Sequence, residues 1–176
     1  KKDSCNYPYK ELCGCGIGFK LIQAFTSEQG WPTEDIVEYL DLVTIAIGAD
    51  IVPLDGENRT LAYFGLKHIN SNPRLGIRKL LETNNKRNNI SISDLVFTIA
   101  PRVNAAGRIS HANAAVEMLL VEDDEEATKW CDEINKYNTE RRLLDSDITE
   151  DALSILKSNE TLRNKKSTVL WDTGWH

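Results

Sequence analysis

Three features of the sequence predict a mainly helical chain that ends in a β-strand. Apolar residues recur at steps of three and four through most of the 176 residues, and caps and breakers divide them into helix-sized pieces. Only residues 167–176 switch to a β-branched run with a glycine turn.

Taken in order, residues 9–29 carry Leu12, Cys15, Ile17, Phe19, Leu21, Ile22 and Phe25 and predict a mostly buried helix closed by Gly30. Gly14, Gly16 and Gly18 each cost roughly 1 kcal/mol of helix propensity relative to alanine. Close approach of a neighbouring backbone is expected there, because no Cβ stands in the way. A phosphate-cradling reading of Gly14-Cys-Gly-Ile-Gly18 lacks a preceding strand.

Thr33, after Pro32, is the expected cap of the next helix, with Glu34 and Asp35 at its positive end. Residues 40–54 are almost wholly apolar and stop at Pro53, predicting a helix buried on most sides. Val43, Ile45, Ile47, Ile51 and Val52 would also suit a buried strand. Residues 58–70 and 76–82 follow as helices, the first with His68 on its polar side. Residues 83–89, with four asparagines, read as a solvated loop. Ser91 or Ser93 caps a short helix that Pro101 ends. From residue 123 to about 157 one stripe runs through Ala127, Trp130, Ile134, Tyr137, Arg141, Leu144, Ile148, Ala152 and Ile155. A helix of about 35 residues spans roughly 50 Å and reads as a strut between domains.

The chain carries a net charge of -6, so contact with nucleic acid has to come from a local arginine cluster. No apolar run approaches the roughly 20 residues that cross a bilayer, and no signal segment opens the chain, which makes the cytoplasm the default address. Cys13 and Cys15 stand one residue apart in a helical pattern, so reduced thiols are expected. A zinc site on Cys5, Cys13 and Cys15 would need a fourth ligand and lacks the usual spacing. The absence of an initiator methionine and the unpaired closing strand read as cuts through a longer protein.

Two places could carry chemistry. Asp50 stands in Ile47-Gly-Ala-Asp-Ile-Val-Pro-Leu54, and burying its carboxylate uncompensated would cost several kcal/mol. A divalent cation would compensate it; an arginine partner or a capping role would do so without catalysis. The stretch Ala100-Pro-Arg-Val-Asn-Ala-Ala-Gly-Arg-Ile-Ser-His111 gathers Arg102, Asn104, Arg108 and His111. Pro101 and Gly107 argue against a regular helix there, and Ala105 and Ala106 leave room for a ligand to approach. Such a loop suits phosphate. The alternative is a connector whose arginines pair with the acidic residues 122–126.

With these residues in view, the chain resembles the RecJ branch of the DHH phosphoesterase superfamily. Residues 7–21, 41–54 and 99–109 look like that family's blocks in the family's order, and Gly174-Trp-His176 resembles the opening of its Gly-x-His-x-Gly segment. The resemblance implies an α/β parent fold of which this fragment is the mainly helical part. Residues 1–121 would be the C-terminal part of the DHH metal-binding domain, 122–160 the long connector helix, and 161–176 the start of the DHH-associated domain. It implies an exonuclease that degrades single-stranded DNA from the 5′ end in repair and recombination, using two Mn²⁺ or Mg²⁺ ions. Asp50 matches a metal ligand of the family, and Arg108, Asn104, Arg102 and His176 match its substrate side. The family's Asp-His-x-Ala-Asp block, isolated aspartate and Asp-His-His triplet are not among these residues, so the segment alone is expected to be inactive. Two alternatives remain: a phosphodiesterase of cyclic dinucleotides or short oligonucleotides, and a non-catalytic helical module.

Overall fold

The computed structural model describes residues 4–109 and 113–175, and of Arg108 and Ile109 it describes the backbone. Helix α1 spans Gly14–Glu28, capped by Cys13, whose Sγ accepts the Gly16 amide at 3.4 Å. Its far end closes as a Schellman motif. Gly30 adopts φ +68°, its amide reaches the Ser27 carbonyl, and the Trp31 amide reaches that of Thr26 at 3.0 Å. The rings of Phe25 and Trp31 meet edge to face at 5.6 Å, which seals the turn.

Two expectations for this helix are corrected. It begins at Gly14, not residue 9, and Ile17, Leu21, Ile22 and Phe25 are exposed, so the helix is not mostly buried. Gly16 packs on Leu12, but a Cβ at Gly14 or Gly18 would meet nothing within 4 Å. Among the described residues no backbone approaches those two positions.

A 3-10 helix over Thr33–Tyr39 follows, and Thr33 lies inside it rather than capping it. Helix α2, Leu40–Ala49, is the centre of the fold. Val43 and Ile47 pack into one apolar cluster with Phe19, Ile36 and Ala62, while Ile45 packs into a second with Ile69, Ile77, Leu95 and Ile99. A helix apolar on every side is the kind that can serve two cores at once. Helix α3, Gly56–Ser71, crosses α2 so closely that a Cβ at Gly65 would fall on Thr44 Oγ1 and the Leu40 carbonyl. Helix α4, Leu75–Thr83, is held in the same way against the Met118 carbonyl at Gly76.

The loop after α4 turns through Asn85 and Asn89, both at positive φ, which asparagine tolerates better than most residues. Ser91 then forms a capping box with Asp94, starting α5, Ile92–Asp94. Here the expected break at Pro101 does not occur. A π-helical turn over Leu95–Ile99 leads straight into α6, Ala100–Ile109. The wide turn directs the Ala100 amide to the carbonyl of Leu95. It thereby eases the ladder one residue before a proline that has no amide to give.

Helix α7, Asn113–Leu120, and the 35-residue α8, Asp124–Ser158, complete the body, with Asp123 capping α8 through the Glu126 amide. Only the first half of α8 is packed: Ala127, Cys131, Ile134 and Asn138 are buried, whereas Leu144 and Ile155, predicted on the same stripe, are exposed. A short α9, Glu160–Arg163, follows. The expected closing strand is not formed, and among the described residues there is no strand. Val169 and Trp171 are 92% and 79% exposed. β-branched residues make a strand only when a partner offers a ladder, and among the described residues none does. No helix among the described residues is long and apolar enough to cross a membrane.

Candidate metal and nucleic-acid site

Asp50 is the residue at which α2 ends. Its amide still reaches the Ala46 carbonyl at 2.9 Å, but its side chain is exposed and makes no ion pair among the described residues. The expectation of an interior position is therefore corrected. Ile47 is buried, but the chain leaves the core two residues later, so the apolar residues around Asp50 face outward, with Ile51 87% exposed. Two costs gather there. A carboxylate at the negative end of a helix dipole is disfavoured. Ile51 adopts φ +52°, a conformation that a β-branched residue avoids by about 1–2 kcal/mol. A cation at Asp50 would offset the first of them.

The start of α1 lies close to this point. The Cys15 thiol is pushed up by burial first, and then by the charges of Cys13, Asp50 and Asp41. The bare surfaces of Gly14 and Gly18 belong to the same helix end. Among the described residues no group of three His, Cys, Asp or Glu side chains could hold a metal ion. These residues do not make up a metal centre; Asp50 fits as a single carboxylate ligand of one completed by other groups.

The predicted phosphate loop is a helix. Ala105 and Ala106 are wholly buried against the core, so they make room for packing rather than for a ligand, and Asn104 is exposed on the outer face. Arg108 follows one turn later on α6; its side chain, together with Ser110, His111 and His176, lies outside the described residues. Val96 packs where Gly48 passes, at the Asp50 end of α2. Eight helical residues separate Val96 from Asn104, roughly 12 Å at 1.5 Å each. Val96, which meets α2 at Gly48, thus lies about two turns before Asn104 along this helix.

Arg102 has a different setting. Its Nε donates to Asn135 Oδ1 at 2.7 Å, Nη1 to the Thr98 carbonyl at 2.6 Å, and Nη2 to Asn84 Oδ1. The guanidinium thus ties α6 to α8 and to the end of α4, and burial lowers its pKa from the ordinary arginine value. It does not pair with the acidic start of α8, where Asp124 instead takes Lys79 at 2.6 Å and Arg78 at 3.9 Å.

Sequence pattern alone gave no prominence to the carboxylate that is buried. Asp41 has no exposed surface and lies 2.8 Å from Arg74 Nε. It stands in the same apolar stretch as Asp50, so an acidic residue among aliphatic ones was a signal for both.

No protein-family model matches the chain. Among known proteins it is similar to the single-stranded-DNA-specific exonuclease RecJ of Bacillus subtilis (strain 168), with 36% identity over 100% of this chain and 22% of that protein. The Escherichia coli (strain K12) RecJ is 34% identical over 98% of this chain and 32% of its own length. Two crystal structures of RecJ from Thermus thermophilus share its fold. The one in complex with Mn²⁺ has a TM-score of 0.76 at 32% identity, covering 82% of this chain and 22% of that one. The one in complex with Mg²⁺ has a TM-score of 0.74 at 30% identity, covering 93% and 24%. The chain spans between a fifth and a third of the length of these relatives, and with sequence and fold agreeing along that span it belongs to the RecJ family as a segment of it.

Proposed function

We propose that this chain is part of a metal-dependent exonuclease that hydrolyses single-stranded DNA from the 5′ end. Asp50 is one carboxylate ligand of a Mn²⁺ or Mg²⁺ pair whose other ligands come from outside these residues. Such a pair supplies a nucleophilic water and neutralises the phosphate. Arg108 and Asn104, both on α6, bind the substrate backbone, and His176 contacts the DNA further on. Arg102 holds α6 in place and leaves phosphate contact to the other two.

The observation that carries this reading is the position of Asp50. It is an exposed carboxylate with no ion-pair partner among the described residues, set at the negative end of α2 beside a strained Ile51. Residues 1–121 then form the later part of the metal-binding domain. Residues 122–160 run out as a connector whose second half is exposed, as a strut to a domain beginning at 161–176 would be.

The test uses the full-length protein and a 5′-labelled single-stranded oligonucleotide with Mn²⁺. Asp50→Asn should lower hydrolysis by about two orders of magnitude or more, since a metal-bound phosphoryl oxygen is worth several kcal/mol. Titration calorimetry should show weakened Mn²⁺ binding in parallel. Full activity with unchanged Mn²⁺ affinity would refute the assignment.

A further inference from the structure

Helix α3 presents to solvent a stripe in which cations flank an aromatic ring. Arg59, Tyr63 and Lys67 stand four residues apart and all are exposed, Tyr63 to 65%. Phe64 lies against Tyr63 edge to face, with ring centres 5.2 Å apart, so the Tyr63 ring is braced from the side. Neither Arg59 nor Lys67 makes an ion pair among the described residues; exposed Arg87, Lys129 and Arg142 make none there either, and what sets Arg59 and Lys67 apart is the exposed ring between them. The one acidic residue in the first turn of α3, Glu57, is taken by the Tyr7 hydroxyl and by Lys20 at 3.2 Å.

A chain of net charge -6 thus keeps two uncompensated cations on either side of an exposed ring. We propose that this stripe is a contact surface for single-stranded nucleic acid, with a base stacked on Tyr63, and with Arg59 and Lys67 on phosphates to either side of it. About 12 Å of helix axis separates the two cations, a span of about two nucleotide steps with the ring at its middle. Cations on both sides of an exposed ring match the phosphates and stacked bases of a single strand. Helix α3 begins six residues after Asp50, so the stripe leads away from the proposed metal ligand and would hold strand that is not being cut. The inference rests on the exonuclease reading for the identity of its ligand.

The experiment measures binding of fluorescein-labelled oligo(dT) to the full-length protein by anisotropy across a salt series, in EDTA so that the probe stays intact. Tyr63→Ala should weaken binding by about tenfold and Tyr63→Phe should restore it, since stacking needs the ring and not the hydroxyl. Arg59→Ala with Lys67→Ala should reduce the slope of log affinity against log salt by about 1.4, because each phosphate neutralised on a single strand accounts for about 0.7 of that slope. Photocrosslinking with 5-iodouracil in the probe should map to Tyr63. If the wild type binds the probe in EDTA and cuts it once Mn²⁺ is supplied, while these variants match it in affinity and salt slope, the stripe is not a nucleic-acid surface, whatever else docks there, and the exonuclease reading stands. A wild type that binds no single strand overturns both.

Discussion

Nε of Arg74 lies 2.8 Å from Oδ2 of Asp41, joining the first turn of α2 to the N-terminal cap of α4 across the interior. The Leu42 amide holds the other carboxylate oxygen at 2.6 Å, and the Arg74 guanidinium sits 5.5 Å over the ring of Tyr39. Removing one partner strands the other charge, so Arg74→Met should destabilise the chain by about 3–5 kcal/mol in urea unfolding. The double variant Asp41→Leu with Arg74→Met should recover most of that loss. Burial raises the Asp41 pKa above 3.8, against the opposing pull of Arg74. The folded state then holds the proton more tightly, so Asp41 favours folding at acid pH and loses that advantage as pH rises through its folded value. The deficit of Arg74→Met should therefore be smallest in acid and grow toward neutrality. A deficit independent of pH would contradict this account.

Asp94 shifts the other way. Lys86 Nζ at 2.7 Å, followed by the Ser91 hydroxyl and amide, holds its carboxyl well below the ordinary value of 3.8. A depressed acid stabilises the fold above its unfolded value and loses that contribution as pH falls through the folded one. Asp94→Asn should therefore cost stability at neutral pH and draw level with the wild type in acid, as read from thermal melts at several pH values.

Two kinds of glycine should respond oppositely to alanine. Gly76→Ala places a methyl group on the Met118 carbonyl and Gly65→Ala places one on that of Leu40, and each should cost about 4 kcal/mol or more. Gly18→Ala meets nothing and should stabilise the 176-residue chain by about 1 kcal/mol through helix propensity alone. Equal effects in denaturant titrations would show that the close approaches are not real.

Arg102→Ala deprives Asn84, Asn135 and the Thr98 carbonyl of a charged donor, and a loss of about 2–3 kcal/mol is expected. Arg102→Lys should recover little of it, because one ammonium group cannot reach three divergent acceptors. A direct phosphate role would look different: stability unchanged, with DNA affinity alone reduced.

With only one of the proposed metal ligands, the 176-residue chain given Mn²⁺ should hydrolyse no single-stranded DNA above a buffer control. Robust turnover would place the whole catalytic centre within these residues.

What the sequence alone determined lies close together in the chain. The closing glycine of α1, the α2 core helix, the Ser91 cap and the acidic start of α8 could be read because caps and periodicity act over one or two turns. The resemblance blocks were legible for the same reason. What only the tertiary structure decided depends on distant packing. Asp41 and Asp50 occupy the same kind of apolar stretch, yet Asp41 is enclosed because Arg74 arrives from another helix, while α2 ends under Asp50 and leaves it outside. Pro101 and Arg102 looked like a break and a phosphate ligand. A π turn carries the helix through the first, and Asn84 and Asn135, remote in sequence, engage the second. Whether a charged or apolar side chain is buried depends on what other segments bring against it, and local pattern carries no record of that.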